Sequence, residues 1–161
     1  MPDRTLYDRD FYTWAMTQAE ALRAASDGQR SNAVDWGNVV EEIESLGREQ
    51  RFSLQSHLKN ILSHLLKLQF SPAENPRTHW MREVRTQRAE FEQRLEMNPG
   101  LKPQLPALLQ SAYGYGRKHA AAGLEQDGLA LVDLPAECPY TLDQVLDFDW
   151  FPVRAADGVK D

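Results

Sequence analysis

Cysteine is all but absent from this chain. Cys138 is the only one among 161 residues, which excludes an intramolecular disulfide and any zinc site built from several thiolates. Long apolar runs are missing as well. The longest is Leu129 to Val132, far below the ~20 residues that cross a bilayer, so no membrane span is expected. The first residues carry Asp3 and Asp8 where a secretory leader would be basic, and no apolar stretch follows them. With a lone cysteine, that points to the cytoplasm. Positive charge is scarce too: 18 Lys and Arg stand against 24 Asp and Glu, a net charge of -6, which opposes general nucleic-acid binding. There is no His-Glu-x-x-His, Gly-x-Ser-x-Gly or Walker glycine loop. Gly114-Tyr115-Gly116 is no dinucleotide loop, because His119 takes the place of the third glycine and no strand precedes it. No cofactor is expected.

What is present is helical periodicity. A hydrophobic content of 42% with 26% charged residues describes a chain that folds, and its length suits one domain. Asp8 is a plausible N-cap for a first amphipathic helix carrying Phe11, Trp14, Ala15, Gln18 and Leu22, ended by Asp27-Gly28. Residues 27–34 read as a loop, and Asp35 caps the next helix. From Asp35 to Phe70 the apolar positions Trp36, Val39, Val40, Ile43, Leu46, Leu54, Leu58, Ile61, Leu62, Leu65 and Leu68 keep one phase. Gly47 interrupts them at a cost of only ~1 kcal/mol, so one bent helix and two successive helices both fit. Ser71-Pro72 and Asn75-Pro76 end the run. Thr78 then caps a segment with the stripe Trp80, Val84, Gln87, Phe91 and Leu95. Pro103 opens a helix with the face Leu105, Leu108, Leu109, Ala112, Tyr113, Gly116 and Ala120. Gly114, Gly116 and Gly123 are candidates for close helix approach. Residues 129–135 read as irregular, and Thr141 caps a last short helix to about Leu146.

Several segments in order resemble a bacterial family known as domain of unknown function twenty-nine. They are the run from Leu6 to Trp14 (LYDRDFYTW), the run from Asp35 to Gly47 (DWGNVVEEIESLG), and His64-Leu65-Leu66-Lys67-Leu68. Trp80 with Arg88, Asn98-Pro99-Gly100-Leu101-Lys102 and Cys138-Pro139-Tyr140-Thr141-Leu142 complete the pattern. Gly100 departs from the serine that the pattern more often carries there. The resemblance implies an α-helical fold and no established activity, and it carries over no catalytic residue.

Three groups of residues could bear chemistry. On a continuous helix Glu42, Glu49, His57, Asn60 and His64 fall within one ~80° sector beside the apolar face, the kind of margin from which bundles build carboxylate and histidine metal sites. Glu42, His57 and His64 are the metal candidates, although the Glu-x-x-His spacing is absent and two helical turns, about 10 Å, separate the histidines. The alternative is a helix edge with interfacial histidines. Arg51 and His57 form an Arg-x5-His pair similar to that of metal-independent helical ribonucleases, where the arginine would hold phosphate and the histidine act as acid and base. Phe52 stands where those enzymes place a polar residue. Arg77, Arg82, Arg85, Arg88 and Arg94 interleave with Glu83, Glu90, Glu92 and Glu96, which reads as a salt-bridged surface helix, with Arg88 placed to pair with Glu41 or Glu44. Cys138, beside Pro139, reads as structural.

These readings predict an all-α single-domain bundle of about five helices over residues 1–154. The bundle carries an irregular acidic C-terminal segment, in which nine acids from Glu125 onward face only Arg154 and Lys160, and residues 155–161 are expected to fray. The expected role is a cytoplasmic interaction or regulatory module with a protein partner or as a homodimer. The ribonuclease-like enzyme and the metal site are the alternatives, and binding to nucleic acid or membrane is not expected.

Overall fold

Helices account for all the regular structure among the residues described in the computed structural model, 4–25 and 34–155. They are α1 (Arg4–Arg9), α2 (Phe11–Ala24), α3 (Trp36–Phe70), α4 (Arg77–Glu96), α5 (Leu105–Leu124) and α6 (Leu142–Leu146), with short 3-10 helices at Pro99–Gln104, Glu125–Asp127 and Leu131–Asp133. The all-α expectation is met. The predicted loop over 27–34, apart from Val34, and residues 156–161 of the predicted frayed tail lie outside the described residues. The chain divides into two compact units, Met1–Ser53 with Arg94–Pro103, and Leu54–Gln93 with Gln104–Asp161.

In the first unit the N-cap is Asp10 and not Asp8. Asp10 leaves helical dihedrals (φ -153, ψ 82), and its carboxylate accepts from Thr13 N at 3.1 Å and Thr13 Oγ1 at 2.7 Å. Thr13 supplies two donors three residues on, so the break falls at Asp10 and leaves Asp8 inside α1. Ala15 and Ala19 of α2 are fully buried. A Cβ on Gly47 would lie 3.2 Å from Met16 Sδ and 3.5 Å from Ala15 Cβ. Gly47 therefore stays inside α3, where small residues let the α2 and α3 backbones approach. Asp35 caps α3 as expected, accepting from Asn38 N at 3.2 Å. The whole of Trp36–Phe70 is one helix of 35 residues, ~52 Å long at 1.5 Å rise per residue.

The second unit holds most of the apolar core. Leu54, Leu58, Ile61, Leu62, Leu65 and Leu66 of α3 are fully buried, as are Val84 of α4 and Leu108, Ala112, Ala120 and Leu124 of α5. A Cβ on Gly116 would come within 2.9 Å of Lys59 O, so this glycine marks close approach of α5 to α3, whereas one on Gly123 would meet only the end of the flexible Lys67 side chain, Cε at 2.7 Å. Gly114 has nothing near it and marks none. α4 begins at Arg77, one residue before the expected cap Thr78, because Trp80 N already bonds Pro76 O at 3.0 Å. Pro103 lies in the 3-10 segment, and Pro106 occupies the tolerated first turn of α5. Thr141 caps α6 with a reciprocal box, Gln144 N to Thr141 Oγ1 at 3.2 Å and Thr141 N to Gln144 Oε1 at 3.0 Å. The chain after α6 is pinned down as far as Ala155, whose N donates to Gln69 O at 2.8 Å.

Candidate functional site

The predicted polar margin of α3 is shared between the two units. Glu42, Glu49 and Arg51 belong to the first, and His57, Asn60 and His64 to the second. In the second unit His57 Nδ1 lies 2.8 Å from Gln87 Oε1, which also accepts from Asn60 Nδ2 at 3.4 Å. His64 Nδ1 lies 2.8 Å from Asn60 O. A carbonyl oxygen only accepts, so in both histidines Nδ1 carries the proton and any lone pair sits on Nε2. Burial pushes the His64 pKa below the usual histidine value, with the Asn60 carbonyl opposing and the nearby Lys67 charge assisting. Both histidines are half-buried, His57 tied to an amide of α4 and His64 to a carbonyl of its own helix. No group of three or more His, Cys, Asp or Glu among the described residues is arranged to hold a metal ion.

The α4 arginines depart from the salt-bridged helix expected of them. Among the described residues only Arg85 meets a carboxylate, Asp149, at 3.8 Å, while its guanidinium lies over the rings of Phe148 and Phe151. Arg77 donates to Leu68 O at 2.7 Å, Arg82 stands 3.3 Å from His79 Nδ1, and Arg94 donates to Gln50 Oε1 at 3.1 Å. Arg88 does not pair with Glu41 or Glu44; those glutamates take Arg48 and Arg23 instead. Sharing the buried stripe of Val84 and Phe91, Arg88 points into the second unit. There it donates to four carbonyls, Gln144 O at 3.0 Å, Val145 O at 2.8 Å, Phe148 O at 3.3 Å and Trp150 O at 2.9 Å. Burial lowers its pKa to about 10, which leaves it charged at neutral pH. Arg88 thus holds the C-terminal segment in place. Cys138 is structural, as expected: burial raises its pKa, and its thiol donates to Tyr140 O at 3.4 Å.

The sequence reading missed a cleft of about 370 Å³ in the first unit. Tyr7 and Asp8 of α1, Phe11 of α2, Gln50 of α3, and Arg94, Met97 and Asn98 at the end of α4 line it. The backbone explains why these segments meet. The first N–H groups of a helix lack intrahelical partners. Here Phe11 N donates to Met97 O at 3.2 Å and Tyr12 N to Asn98 Oδ1 at 3.1 Å, so the turn after α4 serves as part of the cap of α2. Asn98 is buried and anchored at its other end, Nδ2 donating to Arg94 O at 2.9 Å and Gln50 Oε1 at 3.4 Å. A Cβ on Gly100 would overlap Thr13 Oγ1 and lie 2.6 Å from Asp10 Oδ2, so this chain needs glycine against its cap. The signal in the sequence was the pair of resemblance segments at Leu6 to Trp14 and Asn98 to Lys102, which the fold brings together. A second groove, on α4 of the second unit, has an apolar floor of Met81, Ala89 and Phe148 beside Arg85, which already lies over that phenylalanine.

A search of curated proteins found no match. Among solved structures the chain is similar to an α-helical protein of unknown function from Rhodospirillum rubrum, with a TM-score of 0.71 and 24% identity over 89% of this chain and 90% of that one. At that identity the likeness concerns the fold alone. The family model described as Domain of unknown function DUF29 matches residues 6–151, nearly the whole chain. The chain belongs to the DUF29 family.

Proposed function

We propose that this protein is a non-enzymatic helical interaction or regulatory module that engages a protein partner in a reducing compartment. The observation that carries the reading is where large apolar side chains stand in solvent. In the first unit Tyr7, Val39, Leu46, Phe52 and Met97 are all exposed, Met97 at 60% and Phe52 at 58%. Val39 and Leu46 are two turns apart on α3 and share one helix face. The second unit also exposes Tyr115, Val132, Phe148 and Val153, so the weight falls on Val39 and Leu46, whose shared helix face is the kind of surface that interaction partners cover.

The test is a pull-down with the full chain, with light scattering to detect self-association. A specific partner or a dimer is expected from the wild type, and Leu46→Glu with Val39→Glu should abolish it without loss of helicity. An inert monomer that captures nothing sinks the reading. Cleavage of a mixed RNA pool by wild type but not by His57→Ala would replace it with the ribonuclease.

A further inference from the structure

Two opposite charges line the first unit's cleft without closing on each other. The Arg94 guanidinium has one hydrogen-bond partner, the neutral Gln50 Oε1 at 3.1 Å, and makes no ion pair among the described residues. Asp8, in the same cleft, makes neither an ion pair nor a hydrogen bond among them. This contrasts with Arg23, Arg48 and Arg154, each of which is paired with a glutamate. The cation is also held in place, because the buried Asn98 bonds both Gln50 and the Arg94 carbonyl. The remaining walls are apolar and aromatic: Phe11, Met97 at 60% exposure and Tyr7 at 50%, with Tyr7 stacked edge-on against Phe11 at 5.7 Å and Trp14 at 4.7 Å.

We propose that this cleft binds a free α-amino acid with an apolar side chain. Its carboxylate pairs with Arg94, its ammonium with Asp8, and its side chain lies among Phe11, Tyr7 and Met97. Charge decides against a simple anion or cation. The lining sums to zero, so a zwitterion gains at both ends where a singly charged ligand is drawn to one residue and repelled by the other. Size decides against a long peptide. A cleft of about 370 Å³ is at the small end of the ~300–1,000 Å³ typical of ligand sites. Aromatic and thioether walls favour an apolar side chain over a polar one. The inference shares Tyr7 and Met97 with the partner-binding reading but rests on Arg94 and Asp8, which that reading does not use.

The test is a titration of the full chain by calorimetry and amide-resolved NMR with L-phenylalanine, L-leucine, L-methionine and L-tryptophan. The controls are 3-phenylpropionate, which lacks the ammonium, and phenethylamine, which lacks the carboxylate. At least one amino acid should bind saturably with Kd on the order of 1 mM or tighter, shifting Tyr7, Phe11 and Met97, and each control should bind roughly tenfold more weakly. Arg94→Gln should abolish binding. Asp8 is exposed, so Asp8→Asn keeps the fold, and it should erase the preference for L-phenylalanine over 3-phenylpropionate. The proposal is overturned by wild type that binds none of the four, or by Asp8→Asn that retains the preference. Light scattering on the same samples reports separately on partner binding.

Discussion

The two units use the same kinds of residue for opposite purposes. In the second, leucines of α3 fill a closed core, and the arginines Arg77 and Arg88 are committed to backbone carbonyls. In the first, α2 meets α3 through alanines and a glycine, and Arg94 and Asp8 line a cleft without pairing, while large apolar side chains stand in solvent in both units. An arginine that satisfies several carbonyls is a fastener, and its charge is confined by burial. One with a single neutral partner beside a cleft retains most of its capacity to bind. The contrast is between arginines spent on holding the fold and one left beside a cleft.

Arg88 tests that contrast with the largest expected effect. Arg88→Met removes the donors that serve four carbonyls of residues 144–150, and leaving one buried and three part-buried acceptors unpaired should cost about 3–5 kcal/mol in urea unfolding. Amide exchange in α6 should accelerate at the same time. A loss below about 1 kcal/mol would show that water replaces the guanidinium freely and that the fastener reading is wrong. Next in size is a comparison along α3 itself. Leu62→Ala, fully buried, should cost about 2–5 kcal/mol, while Leu46→Ala, 42% exposed, should stay within about 0.5 kcal/mol. Equal losses would erase the distinction between the units.

How far the sequence foretold this follows from the range of each interaction. Periodicity and local caps are properties of neighbouring residues, so the α3 stripe, the Asp35 and Thr141 caps and the proline stops were legible. The misplaced cap at Asp8 turned on which aspartate has donors three residues on, and Thr13 decides for Asp10. Long-range polar contacts were not legible. The place of Arg88 beside the α4 stripe offers Glu41 or Glu44 as partners, and nothing in that spacing reveals carbonyls some sixty residues later. The cleft was hidden for the same reason, since Tyr12 and Asn98 are 86 residues apart. The margin of His57, Asn60 and His64 was readable as a line on α3, but its partner Gln87 had been counted only as part of the α4 stripe.

A smaller effect concerns the cap that builds the cleft. In Gly100→Ala the added Cβ would overlap Thr13 Oγ1 and crowd the Asp10 carboxylate, so stability should fall by about 1–3 kcal/mol. Thr13→Ala removes the overlapping atom at a cost of up to about 1 kcal/mol. The double variant should therefore be more stable than the sum of the two losses predicts, which a double-mutant cycle measures. Strict additivity would mean that Gly100 is needed for something other than its contact with the cap.

The smallest effect separates the units by pH. In the second unit burial holds the His64 pKa below its unfolded value, so the unfolded chain binds more protons than the folded one just below the ordinary histidine range. Stability from this group is fully present above the unfolded pKa of about 6.5, falls as pH drops through it, and levels off below the folded pKa. The groups around it push both ways, Lys67 and His79 against protonation and Glu83 and the Asn60 carbonyl toward it, with burial the largest influence. His64→Gln should flatten the slope of urea-unfolding stability between pH 7 and pH 5, with the neutral amide donating to Asn60 O in place of the imidazole. If the slope survives unchanged, His64 is not held neutral in the fold, and burial at this margin of α3 is too slight to depress its pKa.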